Sequence, residues 1–413
     1  MAKSAELPNQ PSSPTQPIQP LLEPPARVGS IDAYRGLVMF LMMAEVLELA
    51  RVAAKVPTPF WQFLALHQTH VEWAGCTLHD LIQPGFSFLV GAALPFSIAA
   101  RVAKGHSKWR MTLHAAFRAV LLVLLGVFLR SMHSPRTNWT FEDTLSQIGL
   151  GYVPLFLLGF TRQRWQWVAL IVILFAYWGL FVQYPLPTHT FDYERVGVPA
   201  GFTGNFAPGS FASHWNKNSN PASSFDEWFL NLFPRDKPFV FNRGGYATLS
   251  FIPTLGTMIL GLIAGGWIMR AGAWWAKVGS MLLAGGILIA VAWLLHETGL
   301  CPAVKRIWTP SWTLYSGGWC FVFLAVFYGV IDGAKLSSWS YPLRVIGANS
   351  ILAYIMAHGW QDFIIRLIKI HTRDDIFGYY GPAYEPLVAG LTVLAIYWLI
   401  LWWLYRQRIF IRI

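Results

Sequence analysis

Long uninterrupted apolar runs are the feature that most limits what this 413-residue chain can fold into. Hydrophobic residues make up 55% of the chain and charged residues only 12%, whereas a typical soluble domain is about 25% charged. The 21 tryptophans suit the two membrane interfaces, where amphipathic rings accumulate. The sequence therefore predicts an all-α, multi-pass membrane protein that has the lipid bilayer as its first partner.

A helix needs about 20 apolar residues to cross roughly 30 Å of hydrocarbon, and this rule divides the chain into about ten spans. The spans are predicted at 33–52, 78–100, 111–131, 144–161, 165–184, 246–269, 275–296, 311–331, 345–368 and 386–405. Basic residues in the loops between alternate spans fall on one face, which the positive-inside rule assigns to the cytoplasm. We therefore expect both termini to be cytoplasmic.

Residues 185–245 form the longest connection, between the fifth and sixth spans, and should be a large external loop or cap. Residues 1–27 are rich in proline and serine and are predicted to be a disordered cytoplasmic tail, which leaves 28–413 as the transmembrane domain. No signal-peptide pattern precedes the first span, so this span is expected to remain as an anchor.

The net charge of +11 comes from basic residues in short loops, a pattern that records orientation and excludes nucleic acid as a partner. Cys76, Cys301 and Cys320 have no metal-ligand spacing, so no metal is expected. A Cys76–Cys301 disulfide remains open if both residues lie outside the cytoplasm.

The stretch 70–86 combines histidines, carboxylates and a tryptophan at the start of the second span. Thr77 with Asp80 three residues later resembles a capping box, so a helix cap is the simplest role for Asp80. The positive end of this helix would disfavour an imidazolium, keep His70 neutral as a base, and offer free N–H groups to an oxyanion. His67 and His79 are equally visible, and chemistry alone does not choose among the three.

Further polar residues lie within predicted spans, where they are costly and usually face a cavity or each other. Glu45 lies in the first span, and Asp32 and Arg35 share a face at its start, where a cap and a snorkelling arginine would also explain them. Asn349, His358 and Asp362 lie in the ninth span, the last two at i,i+4 on one face. A polar channel through the bundle follows, which either a transporter or a membrane-crossing transferase would need.

Two motifs resemble the heparan-α-glucosaminide N-acetyltransferase-like family. The first is Ser30-Ile-Asp-Ala-Tyr-Arg-Gly36, and the second is His70-x-x-Trp73-x-Gly75-x-Thr77-x-x-Asp80-Leu-x-x-Pro84-x-Phe86. The likeness covers about residues 28–413. It implies a membrane acyltransferase that moves an acetyl group from cytoplasmic acetyl-CoA to an amino sugar or glycan on the other side of the membrane.

The resemblance also assigns residues. The active-site histidine of the family falls on His70, and the matching Asp80, Asp32 and Arg35 are carried over as site-shaping residues. The polar residues of the spans and the tryptophan near His70 complete the expected site, namely Glu45, Asn349, His358, Asp362 and Trp73. The cytoplasmic cluster expected to pair with the CoA phosphates is Arg101, Lys104, Lys108, Arg110 and Arg118, unless these residues only set orientation.

The chain departs from the family in having Glu45 where an asparagine is common late in the first span. The lysosomal members carry an additional lumenal domain and span before the Ser30-like motif, where a short tail is expected here. We therefore expect a bacterial plasma (inner) membrane protein. A solute transporter is the alternative class, and a non-catalytic polysaccharide-assembly subunit is a third. The sequence leaves open the acceptor, the acyl length, the choice between an acetyl-histidine intermediate and direct transfer, and the oligomeric state, with a homodimer among the options.

Overall fold

The computed structural model describes residues 28–411, and within them every regular element is helical. The predicted tail at 1–27 lies outside the described residues. The α-helices are α1 Gly29–Met43, α2 Leu49–Lys55, α3 Pro59–Gln68, α4 Ile82–Ala103, α5 Lys108–Ser131, α6 Thr144–Leu158, α7 Gln163–Val182, α8 Pro221–Leu230, α9 Phe251–Met269, α10 Trp274–Glu297, α11 Pro310–Phe327, α12 Tyr341–Ala348, α13 Ser350–Gly359, α14 Gln361–His371 and α15 Glu385–Arg406.

Seven helical stretches in the described chain are long and apolar enough to cross a bilayer. They are His79–Ala103, Lys108–Ser131, Gln163–Val182, Thr248–Met269, Trp274–Glu297, Pro310–Gly333 and Glu385–Arg406, where short 3₁₀ or π turns extend α4, α9 and α11. Each coincides with a predicted span, so the protein is a multi-pass membrane protein of the all-α class. The remaining predicted spans, at 33–52, 144–161 and 345–368, fall on shorter helices, and the total of ten stays a prediction.

The predicted ninth span is three helices rather than one, because the chain breaks at Asn349 and again at Trp360. The Asn349 side chain donates to the Ile409 carbonyl and accepts from the Ile411 N–H, so it binds the C-terminal segment at the break. His358 ends up on α13 and Asp362 on α14. The prediction that these two residues share one helical face was therefore wrong.

The predicted first span is also interrupted. Helix α1 ends at Met43, a 3₁₀ turn covers Ala44–Leu47, and Glu48 adopts a left-handed conformation with φ of 47° before α2 begins. At its other end, Asp332 accepts hydrogen bonds from the N–H groups of Gly29 and Ser30 and so caps α1. Glu45 consequently lies on an irregular turn at the end of a helix, where its side chain is accessible.

Glycines allow α4 and α9 to touch backbone to backbone at the centre of the bundle. A Cβ added at Gly261 would lie 1.8 Å from the Phe88 carbonyl oxygen, and one at Gly91 would lie 1.9 Å from that of Met258. Small residues permit such close approach between membrane helices, where packing and not water exclusion drives association. The α4–α9 pair is therefore fixed in one register.

Substitution of Gly261 by alanine should destabilise the protein, because its Cβ would clash with the α4 backbone. Overpacking of this kind typically costs about 1–3 kcal/mol. The melting temperature in detergent should fall measurably. Gly266→Ala is the matched control, since a Cβ at Gly266 meets nothing within 4 Å; equal melting temperatures for the two variants would contradict the packing argument.

The segment 185–245 is a folded cap. It contains the 3₁₀ turn Phe211–Trp215 and α8, whose start carries a capping box formed by Asn220 and Ser223. Asn216 organises the segment from inside, because its side chain bonds both the N–H and the carbonyl of Phe206 and donates to the Tyr193 hydroxyl. The cap therefore has its own hydrogen-bonded framework.

Asp226 of α8 joins the cap to the helical bundle, since its carboxylate accepts the Thr248 N–H at 2.9 Å just before α9. The side chain is 3% exposed, and burial raises the pKa of Asp226 to about 7, although the bond from Thr248 opposes the shift. Nearby Glu142 raises this pKa further, while Arg235 lowers it. The native state thus holds a proton on Asp226 at pH values where the unfolded chain has lost it.

This raised pKa predicts that the free energy of unfolding falls as pH rises from about 4 to about 7, because the native state binds more protons than the unfolded state in that window. The difference between the ordinary 3.8 and about 7 corresponds to at most roughly 4 kcal/mol. Asp226→Asn should flatten the fall in melting temperature between pH 5 and pH 8. Glu227→Gln, one residue further along, should retain the wild-type slope; an unchanged slope in Asp226→Asn would refute the assignment.

Candidate functional site

Residues 69–78 form an irregular segment that is joined to residues 301–306, the connection between α10 and α11. Gly75 donates its N–H to the Ala303 carbonyl at 3.1 Å, and Ala74 and Val304 form an isolated β-bridge. The Arg306 guanidinium donates to the Val71 carbonyl at 3.3 Å. Residues 301–306 therefore lie directly against the segment that carries His70.

His70, Asp80 and Lys305 form one charged cluster. The His70 Nδ1 lies 2.7 Å from the Asp80 Oδ1, and the Lys305 Nζ lies 3.2 Å from the same oxygen and 3.1 Å from the same ring nitrogen. An ionised carboxylate only accepts hydrogen bonds, so the Nδ1 of His70 carries the proton and donates it to Asp80. The Nε2 of His70 is then unprotonated and available for chemistry.

The second oxygen of Asp80 is equally engaged. The Oδ2 accepts the N–H of Thr77 at 3.0 Å, the N–H of Val71 at 3.3 Å, and the hydroxyl of Thr77 at 3.0 Å. The bond to the Thr77 N–H is the carboxylate half of the expected capping box. One buried carboxylate therefore holds the helix start with one oxygen and orients His70 with the other.

The electrostatics of the cluster keep His70 neutral. Burial lowers the pKa of His70, the hydrogen bond to Asp80 opposes this shift, and the charge of Lys305 lowers it further. Burial also lowers the pKa of Lys305, with Asp80 acting in the opposite direction. The expected neutral histidine thus arises from burial and a neighbouring ammonium, where the sequence argument had relied on the helix dipole.

His70 opens into a cavity of about 370 Å³. The cavity is lined by Met42, Glu45, His70, His79, Ile82, Gln83, Arg130, Glu142, Asp143, Thr144, Tyr246, Lys305, Tyr354 and His358. Most of these side chains are polar or aromatic, and many of them are ionisable. Such a concave, mixed site with converging titratable groups is the usual form of a small-molecule site.

The wall contributed by the α5–α6 connection carries two carboxyl groups. Burial raises the pKa of Glu142, which Arg130 opposes from 3.9 Å away. Burial also raises the pKa of Asp143, whose Oδ1 accepts the N–H groups of Leu145 and Ser146 as the N-cap of α6. This wall is thus less strongly ionised than the Asp80 side of the cavity.

The structure brings some of the predicted site residues together. Glu45 and His358 line the cavity with His70, and Asp80 lies directly behind His70. Trp73 is buried under the cap, where its indole N–H donates to the Trp215 carbonyl at 3.0 Å. Trp73 therefore attaches the His70 segment to the cap.

Other predicted residues lie elsewhere. Asp32 and Arg35 form an ion pair of 3.3 Å near the start of α1, about ten residues and so roughly 15 Å of helix from Met42. Asn349 is occupied by the C-terminal segment, and Asp362 is not among the residues that line the cavity. None of these four residues is among those that line the cavity.

Sequence reasoning missed Lys305, Arg306, Arg130 and Tyr246. Arg306 donates to the Gly244 carbonyl and lies over the Tyr246 ring, with 5.2 Å between the guanidinium carbon and the ring centroid. One signal was available for the adjacent pair Lys305 and Arg306. These residues are basic, yet their loop is on the side to which the charge rule assigns few basic residues.

The basic cluster lies at the opposite end of α4 from His70. Arg101 and Lys104 are at the C-terminal end of this 22-residue helix, about 33 Å from its start, and Arg110 and Arg118 are on the adjoining α5. Arg118 donates to the Tyr152 hydroxyl at 3.1 Å, and its Nε is buried without a hydrogen-bond partner among the described residues.

Two groups of hydrogen-bonded polar side chains lie along α6 between the cavity and Arg118. The Gln147 Oε1 accepts from Gln83, which lines the cavity, at 3.2 Å and from Thr254 at 2.9 Å. Tyr152 follows five residues later on α6 and binds Arg118. We name Gln83, Gln147, Thr254, Tyr152 and Arg118 the polar track.

The three cysteines are all free thiols in the described chain, Cys76 and Cys301 included. Burial raises the pKa of Cys76 to about 12, with Asp80 contributing in the same direction. This thiol is therefore uncharged at neutral pH, and it is a poor nucleophile because the thiolate is the reactive form.

The fold and the cavity together define a multi-pass helical membrane protein with a histidine–carboxylate site at one end of its bundle. Comparison with known proteins makes the relationship more specific. Residues 27–195 match a family model described as "Domain of unknown function (DUF5009)". The chain is similar to heparan-alpha-glucosaminide N-acetyltransferase from Homo sapiens, with 23% identity over 94% of this chain, and to the Mus musculus protein, with 21% identity over 94%. The chain spans 60% of the length of each relative, and the resemblance seen in the motifs is confirmed.

Replacement of Lys305 by methionine should raise the pH at which His70 becomes protonated, because the lysine charge lowers the pKa of His70. Diethyl pyrocarbonate modifies neutral imidazole, so the pH dependence of modification measures this directly. To isolate His70, the modification rate of the double variant Lys305→Met/His70→Gln is subtracted from that of Lys305→Met at each pH, and the inflection of the resulting curve is assigned to His70. This inflection should lie at higher pH than the one obtained in the same way from the wild type and His70→Gln. An inflection at the wild-type pH would contradict the coupling.

Proposed function

We propose that this protein transfers an acetyl group from acetyl-CoA, bound on the cytoplasmic side, to an amino sugar or glycan amine on the extracytoplasmic side of a bacterial plasma membrane. The observation that carries the proposal is the His70–Asp80–Lys305 cluster, which leaves a neutral histidine nitrogen free in a cavity. Similarity to two proteins named as N-acetyltransferases supports the reaction class.

His70 has the orientation required of a general base or a nucleophile. Asp80 fixes the Nδ1–H tautomer, as the carboxylate does in a serine-protease triad, and so directs the Nε2 lone pair away from itself. In one route Nε2 accepts the proton of the attacking acceptor. In the other it attacks the thioester carbonyl, the C–S bond breaks, and an acetyl-imidazole forms that the acceptor then cleaves.

Both routes develop negative charge on the carbonyl oxygen of the acetyl group. The sequence suggested that free N–H groups at the helix start would stabilise it, but the N–H groups of Thr77, Leu78 and Asp80 already have acceptors. Positive charge in the cavity wall comes from Lys305 and Arg130. These cations are the better candidates for stabilising the oxyanion.

The donor would enter at the opposite end of the bundle. Arg101, Lys104 and Arg110 supply positive charge suited to the CoA phosphates. The polar track then offers hydrogen-bonding groups along α6 to the amide-bearing arm that carries the thioester, and the unpartnered Nε of Arg118 is a donor at its entrance. These residues fit a long substrate that spans from the basic cluster to His70.

The acceptor would approach from the His70 end, under the cap formed by residues 185–245. The cap contacts the His70 segment through the bond from Thr203 to Glu72 at 3.1 Å and through the bond from Trp73 to Trp215. With both termini in the cytoplasm, this end faces the exterior. Tyr246, the residue directly after the cap, lines the cavity, so an acceptor bound there would lie beside the cap.

The proposal predicts that purified protein releases thiol from acetyl-CoA only when an amino sugar is present. His70→Ala should lower this rate by about 10²-fold or more, which is the usual contribution of a positioned base. His371→Ala, an exposed histidine on α14, should retain wild-type activity. Wild-type activity in His70→Ala at normal expression would refute the role of His70.

Two outcomes of the same preparation separate the alternatives. A radiolabelled acetyl group that stays on the acid-quenched wild type and is absent from His70→Ala indicates the covalent route, whereas its absence with ternary-complex kinetics indicates direct transfer. Saturable solute uptake into proteoliposomes without thiol release would instead identify a transporter.

A further inference from the structure

A second histidine–carboxylate pair lies in the same cavity and is not used by the proposed function. The His79 Nε2 lies 3.2 Å from the Glu45 Oε1, and the His79 and His70 rings are 4.4 Å apart between centroids. His79 is buried, while 54% of the Glu45 side chain is exposed to the cavity opening. The cavity thus contains two bases, each with its own partner.

The position of Glu45 is built by several contacts. Gln68 of α3 accepts the Leu49 N–H at 2.8 Å and donates to the Ala44 carbonyl, which clamps the 3₁₀ turn from both sides. On the other face, α15 approaches so closely that a Cβ at Gly390 would lie 2.2 Å from the Val46 carbonyl oxygen. The turn that carries Glu45 is therefore held in place independently of His79.

An amine acceptor has two protons to lose. An amino sugar arrives largely as an ammonium ion, which must lose one proton before its nitrogen can attack and a second proton as the amide forms. The overall reaction is R–NH₃⁺ plus acetyl-CoA giving R–NH–acetyl, CoA–SH and one H⁺. His70 can pass one proton to the departing sulfur, and the other proton needs a different acceptor. A hydroxyl acceptor has only one proton to lose.

We propose that Glu45 takes the first proton from the ammonium acceptor and that His79 positions Glu45 and shares this proton, an inference that rests on the proposed acetyl transfer. The N–H bond breaks and an O–H bond forms on Glu45, and the neutral amine then attacks the acetyl carbonyl. The C–N bond forms as the bond to sulfur or to His70 breaks, while His70 takes the second proton. The exposed carboxyl group returns its proton to solvent.

The other ionisable groups around Glu45 do not replace it. His70 and Lys305 are engaged with Asp80, and the Nδ1 of His358 on α13 is tied to the Tyr354 carbonyl at 2.9 Å. Glu142 is paired with Arg130 at 3.9 Å, and Asp143 caps the start of α6. Glu45 is the carboxylate of this cavity with the most exposed side chain, at 54% against 11% for Glu142.

The test compares pH profiles of kcat and KM for glucosamine and for its N-acetylated form as a hydroxyl acceptor. Glu45→Gln should lower kcat for glucosamine by about 10–100-fold below the pKa of the amine, with the loss shrinking at higher pH, where the amine is already neutral. His79→Gln should change the profile in the same direction. Glu48→Gln, three residues away and paired with Arg51 outside the cavity, should match the wild type for both acceptors.

A second measurement protects the test against misfolding. Glu45→Ala should regain glucosamine transfer at low pH when acetate is added as a replacement carboxylate, and its melting temperature should equal that of the wild type. A uniform loss at every pH, or no loss at all, would overturn the role of Glu45 while leaving acetyl transfer intact. Failure of the wild type to release thiol with any amine would instead overturn the proposed function itself.

Discussion

The site depends on the burial of one compensated charge. Asp80 has no exposed surface, and it stays ionised only because donors from three parts of the chain converge on it: His70, the Thr77 region and Lys305. Removing one partner of a buried ion pair typically costs about 3–5 kcal/mol, since the remaining charge is left uncompensated. The irregular segment 69–78, the start of α4 and the α10–α11 connection are consequently held together at one point, and the orientation of His70 follows from it.

This arrangement explains how far the sequence could lead. His70 and Asp80 are ten residues apart and share one motif, so their association was accessible from local pattern and from the family resemblance. Lys305 is 225 residues from Asp80, and no local pattern links the two. Lys305 is a basic residue in a loop where the charge rule expects few basic residues. This feature points to a site only when a buried carboxylate is known to lie nearby. The apolar spans were predictable for the opposite reason, because hydrocarbon thickness acts on every span separately.

The errors have a common physical origin. Treating 345–368 as one helix ignored the capacity of the Asn349 side chain to bind the C-terminal segment in place of continued helix. Treating 33–52 as one helix placed Glu45 in hydrocarbon, whereas the chain turns at Ala44–Leu47 and leaves the carboxylate accessible. In both cases a polar side chain or a clamping contact from a distant element ended a helix that apolarity alone would have extended. The N–H groups at the start of the second span are not free, because Asp80 and His67 accept hydrogen bonds from Thr77 and Leu78.

The glycine contact between α4 and α9 limits how far these two helices can move relative to each other. Movement of one helix along the other would carry larger side chains into positions where only a hydrogen atom fits beside a carbonyl oxygen. The α4–α9 pair is therefore rigid. The basic residues lie at one end of α4, and Asp80 lies at the other. The two ends of this helix pair therefore stay at a constant separation, and in the proposed transfer the acyl carrier, rather than the helices, would move. The proposed acetyl transfer would then depend on the reach of a flexible acyl carrier inside a rigid bundle, whereas a transporter would need a bundle that alternates between two openings.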